Sequence, residues 1–218
     1  MKNMQFAILG LGRFGFSLVR ELSRMGLDVL AVDADPNRVN NARDIATYAV
    51  EADTTDENVL KALGIRNFDV VVVAIGENIQ SNILTTILLK DMGVPMVVSK
   101  AQNNLHGKVL EKIGTDLVVY PERDMAVRVA HSLLTKSVID HINLSSEYSI
   151  LEIITPSLFV GKSLRESNIR EKHNVNIIAI KRGDEIIVNP TPQETIVAKD
   201  ILVVLGKNVY LDKLSDYD

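Results

Sequence analysis

Apolar residues in the first half of the chain gather in short runs with almost no polar alternation. The clearest is VVVVAI, Val70–Ile75. Such runs suit strands buried on both faces. The pattern predicts strands at Gln5–Leu9, Val29–Val32, Thr47–Val50, Val70–Ile75, Met96–Ser99 and Leu117–Tyr120. Between them apolar residues recur at helical spacing; in the first helix Phe14, Leu18, Leu22 and Met25 fall on one face. Four stretches repeat a helix ending, a hydrophobic residue, a glycine and a new strand: ELSRMGLDV, VLKALGIRNFDV, LLKDMGVPM and VLEKIGTDL. Their glycines, Gly26, Gly64, Gly93 and Gly114, stand where a helix stops on a left-handed residue. Strands alternating with helices predict an α/β, doubly wound, parallel-sheet Rossmann domain.

After about Lys136 the pattern changes. EYSILEIITP reads as a strand, NIIAIKRGDEIIVNP as two strands turning at Gly183-Asp184, DILVVLG as another strand, and NVYLDKL as a short terminal helix. This predicts a small α+β module. The expected division is a nucleotide-binding domain over 1–136 and a linker plus ligand-binding or dimerisation domain over 137–218, with Thr135–Ser146 as the connecting segment. A module of about 75 residues is only marginally stable alone, so docking or dimerisation is expected to support it.

Composition narrows the classes. A formal net charge of -4 without a long basic run argues against a broad grip on nucleic acid. With no cysteine, disulfides, thiolate zinc sites and cysteine nucleophiles are excluded. Val70–Ile75 is far shorter than the roughly 20 apolar residues of a membrane helix. The N-terminal stretch reaches its glycines too soon for a signal peptide, and a cytoplasmic setting is expected.

The chemistry begins at GLGRFG. Gly10, Gly12 and Gly15 form G-x-G-x-x-G between an apolar strand and a helix. Gly10 serves the tight turn, Gly12 the close approach of phosphate, and Gly15 helix–strand packing. The helix N-terminus favours an anion. Asp33, ending the next strand, can accept from both ribose hydroxyls and repels a 2′-phosphate, which disfavours NADP. Arg13 inside the loop is either a bidentate phosphate clamp or a solvated first-turn arginine. Asp53 either reaches an adenine edge or, with Thr54, caps the next helix. Gly76 and Asn78 follow the fourth strand, where open sheets bind nucleotides. Glu122 in PERD stands in the first turn of a proline-led helix, which suits the dipole by itself.

A dehydrogenase would add a proton donor and a substrate domain. His106, His131, His141 and His173 are scattered, without ligand or triad spacing. An NAD-dependent oxidoreductase is the competing class. A DNA-binding redox repressor would need a basic recognition helix.

The stretches FAILGLGRFG, VLAVDAD, LGIRNFDVVVVAIGENIQSNILTT, VSKAQNNLHGKVLEKIGTDLVVYPERDMAVRVA and SEYSILEI, in this order, resemble the KtrA-type cytosolic regulatory subunits of bacterial Ktr/Trk potassium uptake systems, the RCK or KTN family. GKSLRESNIREKHNVNIIAIKRGDEIIVNPTPQETIVAKDILVVLG resembles its C-terminal RCK_C (TrkA-C) domain. The resemblance covers nearly the whole chain. It implies a regulator without enzymatic activity: an octameric ring of dimers on the inner face of a membrane-embedded K⁺-translocating subunit. It also implies ATP for the conducting form, ADP for the inactive form, and NAD(H) in some members. By position, Asp33 would hold the ribose and Asp53 the adenine. Gly10, Gly12 and Arg13, with Phe14 and Gly15 in the same loop, would hold the phosphates. Gly76 and Asn78 would line the site and Lys100 would approach its phosphate end. Glu122 would help hold a divalent cation, Mg²⁺ or Ca²⁺, at a dimer interface. In Gram-positive members the C-domain dimer takes cyclic di-AMP, which closes the system. The matching residues are Arg170, His173, Asn176, Ile177, Ile178 and Pro192. Phe16 departs from the family's usual small residue and is expected to narrow the loop.

Overall fold

The computed structural model describes residues 4–134 and 138–215. They form two compact units, 1–122 and 123–218. In the first, strands and helices alternate: β1 (Gln5–Leu9), α1 (Arg13–Arg24), β2 (Asp28–Asp33), α2 (Pro36–Ala42), β3 (Tyr48–Glu51), α3 (Glu57–Ala62), β4 (Val70–Val73), α4 (Ile79–Asp91), β5 (Met96–Lys100), α5 (Asn104–Lys112) and β6 (Leu117–Val119). The sheet order is β3-β2-β1-β4-β5-β6, parallel throughout. The strand order therefore reverses between β1 and β4, and the loops leaving these two strands part there to open a crevice. Leu9, at the end of β1, pairs with Val32 on one side and Val73 on the other.

Apolar clusters cover both faces of the sheet. Ala7, Leu9, Val71 and Val73 face one, and Ile8, Ala31, Val70 and Val72 the other. This double burial explains the absence of polar alternation in β4. The strand stops at Val73, two residues before the end of the apolar run; the Ala74 N–H keeps one bond to the Leu9 carbonyl (2.7 Å) before the chain turns away. In α1, Gly15 and Val19 are buried, with Phe14, Leu18 and Leu22 packed beside them. Met25 departs from the expected stripe. It is the C-cap, and its side chain is 65% exposed because the helix has already ended. The four repeated glycines all have positive φ.

α6 (Pro121–Leu134) starts at the end of the first unit and belongs to the second from Arg123. The second unit continues with β7 (Val138–Asn143), β8 (Tyr148–Ile154), α7 (Leu164–Ser167), α8 (Ile169–His173), β9 (Val175–Arg182), β10 (Glu185–Val188), β11 (Ile201–Lys207) and α9 (Asn208–Ser215). Its antiparallel sheet has the order β10-β9-β11-β8-β7. The segment expected to be a linker thus contains a strand, because Ile142 and Asn143 pair with Ile150 and Ser149 across a tight turn. The hairpin at Gly183-Asp184 forms as expected, with Arg182 opposite Glu185. A bulge leaves Ile178 as the extra residue of β9, between Ile177 and Ala179. Leu151, Ile153, Phe159, Ile180, Leu202 and Leu211 share the core.

Arg182 joins the hairpin to the loop before β11. Its Nε and Nη2 donate to the two carboxylate oxygens of Asp200 (3.0 and 2.9 Å). Nη1 donates to Glu194 (3.1 Å), and Nη2 also reaches the Thr195 carbonyl (2.8 Å). Asp200 is 1% exposed and also accepts from the Val197 N–H (2.9 Å). Burial is the largest influence and raises the Asp200 carboxyl, but the Arg182 hydrogen bonds, the Val197 N–H and the Arg182 charge together outweigh it and hold the group below its ordinary value.

Candidate functional site

A cleft of about 580 Å³ opens at the carboxyl end of the parallel sheet, where the strand order reverses. Its floor is the glycine loop. Gly10 has φ +100°, and its N–H bonds to the Val32 carbonyl (2.8 Å). A Cβ there would sit 2.9 Å from the Ile75 nitrogen, so the turn is closed to larger residues on two counts. Gly12 is the N-cap of α1 and faces open space. Gly15 does not line the cleft. A Cβ on it would lie 1.9 Å from the Gly10 carbonyl oxygen, so its role is the close packing of α1 against the loop. Arg13 and Phe14, the first residues of α1, line the cleft; Phe16 does not, and packs beside the core.

Asp33 lies at the other end, 8% exposed. Its Oδ2 accepts from the Leu11 N–H (2.5 Å) and its Oδ1 from the Asp35 N–H (2.9 Å). Both oxygens therefore brace backbone, and each keeps one lone pair for a ligand hydroxyl. Arg38 stands beside it, 3.6 Å from Asp33, 3.6 Å from Asp35 and 3.5 Å from Glu77. This guanidinium was not foreseen from the sequence. Its signal was only an arginine three residues past the Asp35 cap of a short helix. Asp53 also lines the cleft. Its Oδ1 accepts from the Thr55 hydroxyl (2.7 Å) and N–H (2.9 Å), and these bonds, the hydroxyl's first, keep its pKa lowered. The helix cap expected at Asp53 or Thr54 is instead Asp56, which accepts from the Asn58 N–H.

The opposite end gathers Arg13, Phe14, Gly76, Lys100 and Glu122. Lys100 is 11% exposed at its side chain; its Nζ donates to Glu122 Oε1 (2.5 Å) and stands 6.0 Å from the Phe14 ring centroid. The Lys100 hydrogen bond is the main cause of the lowered Glu122 pKa, against a smaller opposing effect of burial; Arg13 adds a further lowering. Asn78 caps α4, accepting from the Ser81 N–H (3.0 Å). Ser81 and Gln102, unforeseen, also line the cleft. Among the described residues no three His, Cys, Asp or Glu side chains gather as a metal site. A cation at Glu122 would therefore need further ligands from outside these residues.

In the second unit, Arg170 and Asn176 share a shallow hollow of about 500 Å³ with Tyr148, Asn174, Lys207 and Tyr210. The other four residues singled out from the sequence lie outside it. His173 stands edge-on to Phe159 (5.9 Å), and burial first, then Lys172, lowers its pKa. Ile177 packs on the core, Ile178 is the bulge, and exposed Pro192 accepts from the Arg165 N–H (2.8 Å).

The TrkA-N domain model matches residues 6–121 and the TrkA-C domain model residues 148–217. The Ktr system potassium uptake protein C of Bacillus subtilis is 52% identical over 93% of this chain and 91% of its own length. The Ktr system potassium uptake protein A of the same organism is 49% identical over 94% and 93%. Among solved structures, the GsuK RCK domain superposes with a TM-score of 0.68 at 18% identity, covering 99% of this chain and 48% of that chain, a likeness of fold.

Proposed function

The chain belongs to the Ktr potassium uptake family built from TrkA-N and TrkA-C domains, and on that premise we propose that it is a nucleotide-gated regulatory subunit of a membrane K⁺-translocating protein. The single observation that carries this reading is the two-ended cleft. Arg13, Lys100 and the glycine loop offer positive charge and backbone N–H groups at one end, and Asp33 and Asp53 offer acceptors at the other. This division of charge suits an adenosine nucleotide with its phosphates on the helix N-terminus. Asp33 would take the ribose, Asp53 the adenine edge, and Gly10, Gly12, Arg13 and Lys100 the phosphates. Phe14, Gly76 and Asn78 complete the wall. NAD(H) shares this adenosine half and would occupy the same groups.

ATP and ADP differ by one phosphate, so regulation needs groups that see only the last one. Arg13 and Glu122 fill that role, Glu122 with a divalent cation. When bound, the cation would supply positive charge between the carboxylate and the terminal phosphate. Differential affinity for the two nucleotides then shifts the protein between a conducting and an inactive shape, with no bond made or broken.

Residues 1–136 act in this account as the nucleotide-binding domain and 137–218 as linker and dimerisation domain. Arg170 and Asn176 would meet cyclic di-AMP at a two-fold interface, where a symmetric ligand uses one patch twice. His173, Ile177, Ile178 and Pro192 would border that interface. The working assembly is an octameric ring of dimers on the cytoplasmic face of the membrane, attached through its partner. No helix among the described residues is long and apolar enough to cross a membrane.

Calorimetry of the purified chain with ATP, ADP, NADH and cyclic di-AMP tests this reading. Binding of ATP and ADP with distinct affinities, and of cyclic di-AMP at a separate site, supports it. Preference for NADH together with turnover of a substrate returns the oxidoreductase class.

A further inference from the structure

Asn82, in the first half of α4, is fully buried behind the cleft wall. Its Nδ2 donates to two carbonyls, Ile75 (2.9 Å) and Lys100 (3.2 Å). Two carbonyl acceptors fix the amide's orientation, since only the NH₂ group can face both. Its Oδ1 is buried without a hydrogen-bond partner. A buried acceptor left unpaired opposes stability, so packing alone would favour an apolar side chain such as leucine here. The two carbonyls belong to the segments that carry the phosphate end. Ile75 precedes Gly76, and Lys100 carries the ammonium paired with Glu122. The ladder between β4 and β5 ends at Val73 and Ser99, and beyond it the Asn82 amide links the two strand exits. They come close there: a Cβ on Gly76 would lie 3.2 Å from Lys100 Nζ.

We propose that Asn82 is a positioning residue that holds Gly76 and Lys100 together so that both converge on the terminal phosphates of a bound nucleotide. The proposal rests on the reading of the cleft as an adenine-nucleotide site. It separates Asn82 from its neighbour Thr85, equally buried on α4. The Thr85 hydroxyl donates to the Thr54 carbonyl (3.1 Å), behind the Asp53 side of the cleft.

The test is calorimetry of AMP and ATP on the full chain, wild type, Asn82→Leu and Thr85→Val. Asn82→Leu is expected to weaken ATP about tenfold and AMP less than about twofold, the loss of one or two hydrogen bonds that align only the phosphate end. Thr85→Val is expected to leave the ATP to AMP ratio at its wild-type value. Should Asn82→Leu fail to fold, Asn82→Asp keeps the volume and changes the donor. A buried carboxyl facing two carbonyls has a raised pKa. Its ATP affinity should therefore recover as pH falls from about 8 to about 6, while AMP affinity stays flat. An unchanged ATP to AMP ratio in Asn82→Leu, an equal shift of that ratio in Thr85→Val, or a pH-independent Asn82→Asp overturns the assignment. A wild-type chain that binds neither nucleotide overturns the nucleotide reading itself, and this inference with it.

Discussion

The two units put their charged residues to different uses. In the first, Arg13, Arg38, Lys100 and Glu122 stand around an open cleft, and the strands beneath are apolar on both faces. In the second, Arg182 and the buried Asp200 bind hairpin to loop inside the fold. The backbones differ in the same sense. Among the described residues, those with positive φ in the first unit are all glycines, whereas the second also uses Asn168, Asn174, Asn189 and Lys199. Arg13 and Arg38 of the first unit thus stand on the wall of an open cleft, whereas the Arg182–Asp200 pair of the second is committed to the fold.

The sharpest way to break this contrast is Asp200→Asn. It leaves the Arg182 guanidinium, one-third exposed (33%) and still held by Glu194, without its buried counter-charge, and should destabilise the second unit by about 1.5–3 kcal/mol. The first unit's unfolding transition should be unmoved when the two are followed by hydrogen exchange. The same pair sets a pH dependence. The Asp200 carboxyl is held below its ordinary 3.8, so its contribution is present above that value and is lost as pH falls through it. Acid titration should release the second unit's protected amides in the range below about pH 4, and in Asp200→Asn this step should vanish.

Next in size is Gly15→Ala. The added methyl meets the Gly10 carbonyl oxygen, and forcing α1 off the loop should cost about 1–3 kcal/mol, seen as a lower melting temperature of the first unit. ATP binding should fall with it. Lys100→Met should show the opposite balance. The Lys100–Glu122 pair has a largely exposed carboxylate, 72% at its side chain, so its loss should change stability by less than about 1 kcal/mol. ATP affinity should nonetheless drop about tenfold or more, with AMP little affected, because a charge-assisted contact to phosphate is lost. The smallest effect is expected for Asp53→Asn. It weakens a turn closed by two bonds from Thr55, costing about 0.5–1 kcal/mol in thermal melts, with a modest loss of affinity for every adenosine ligand.

The same contrast explains what was legible in the sequence. The first unit announced itself because its rules are local. Double burial removes polar alternation from β4, helix ends need Gly26, Gly64, Gly93 and Gly114, and the glycine loop must follow β1. Ten cleft residues were named from these patterns and the family resemblance, and nine line the cleft; Gly15 lies beneath it as packing. Arg38 and Gln102 were missed because no local pattern marks them, and Asn82 because its place depends on a partner far along the chain. Asn82 meets Lys100 only once β4 and β5 are side by side. The second unit was harder to read. β7 hid in a polar segment, since its pairing with β8 depends on the turn between them. The helices α7 and α8 are short, and a capping box of Ser163 and Glu166 was their one local mark. The Ile178 bulge follows from register with β11, which no local pattern carries.

In the proposed function the cleft reads phosphate number, and Arg13 is the group that reads it. Calorimetry of ATP and ADP against the wild-type chain and Arg13→Ala, with Mg²⁺ present, tests it most directly. Distinct affinities for ATP and ADP are expected in the wild type, and a ratio close to one in the variant. Equal affinities in the wild type, or a ratio that Arg13→Ala leaves unchanged, would contradict it.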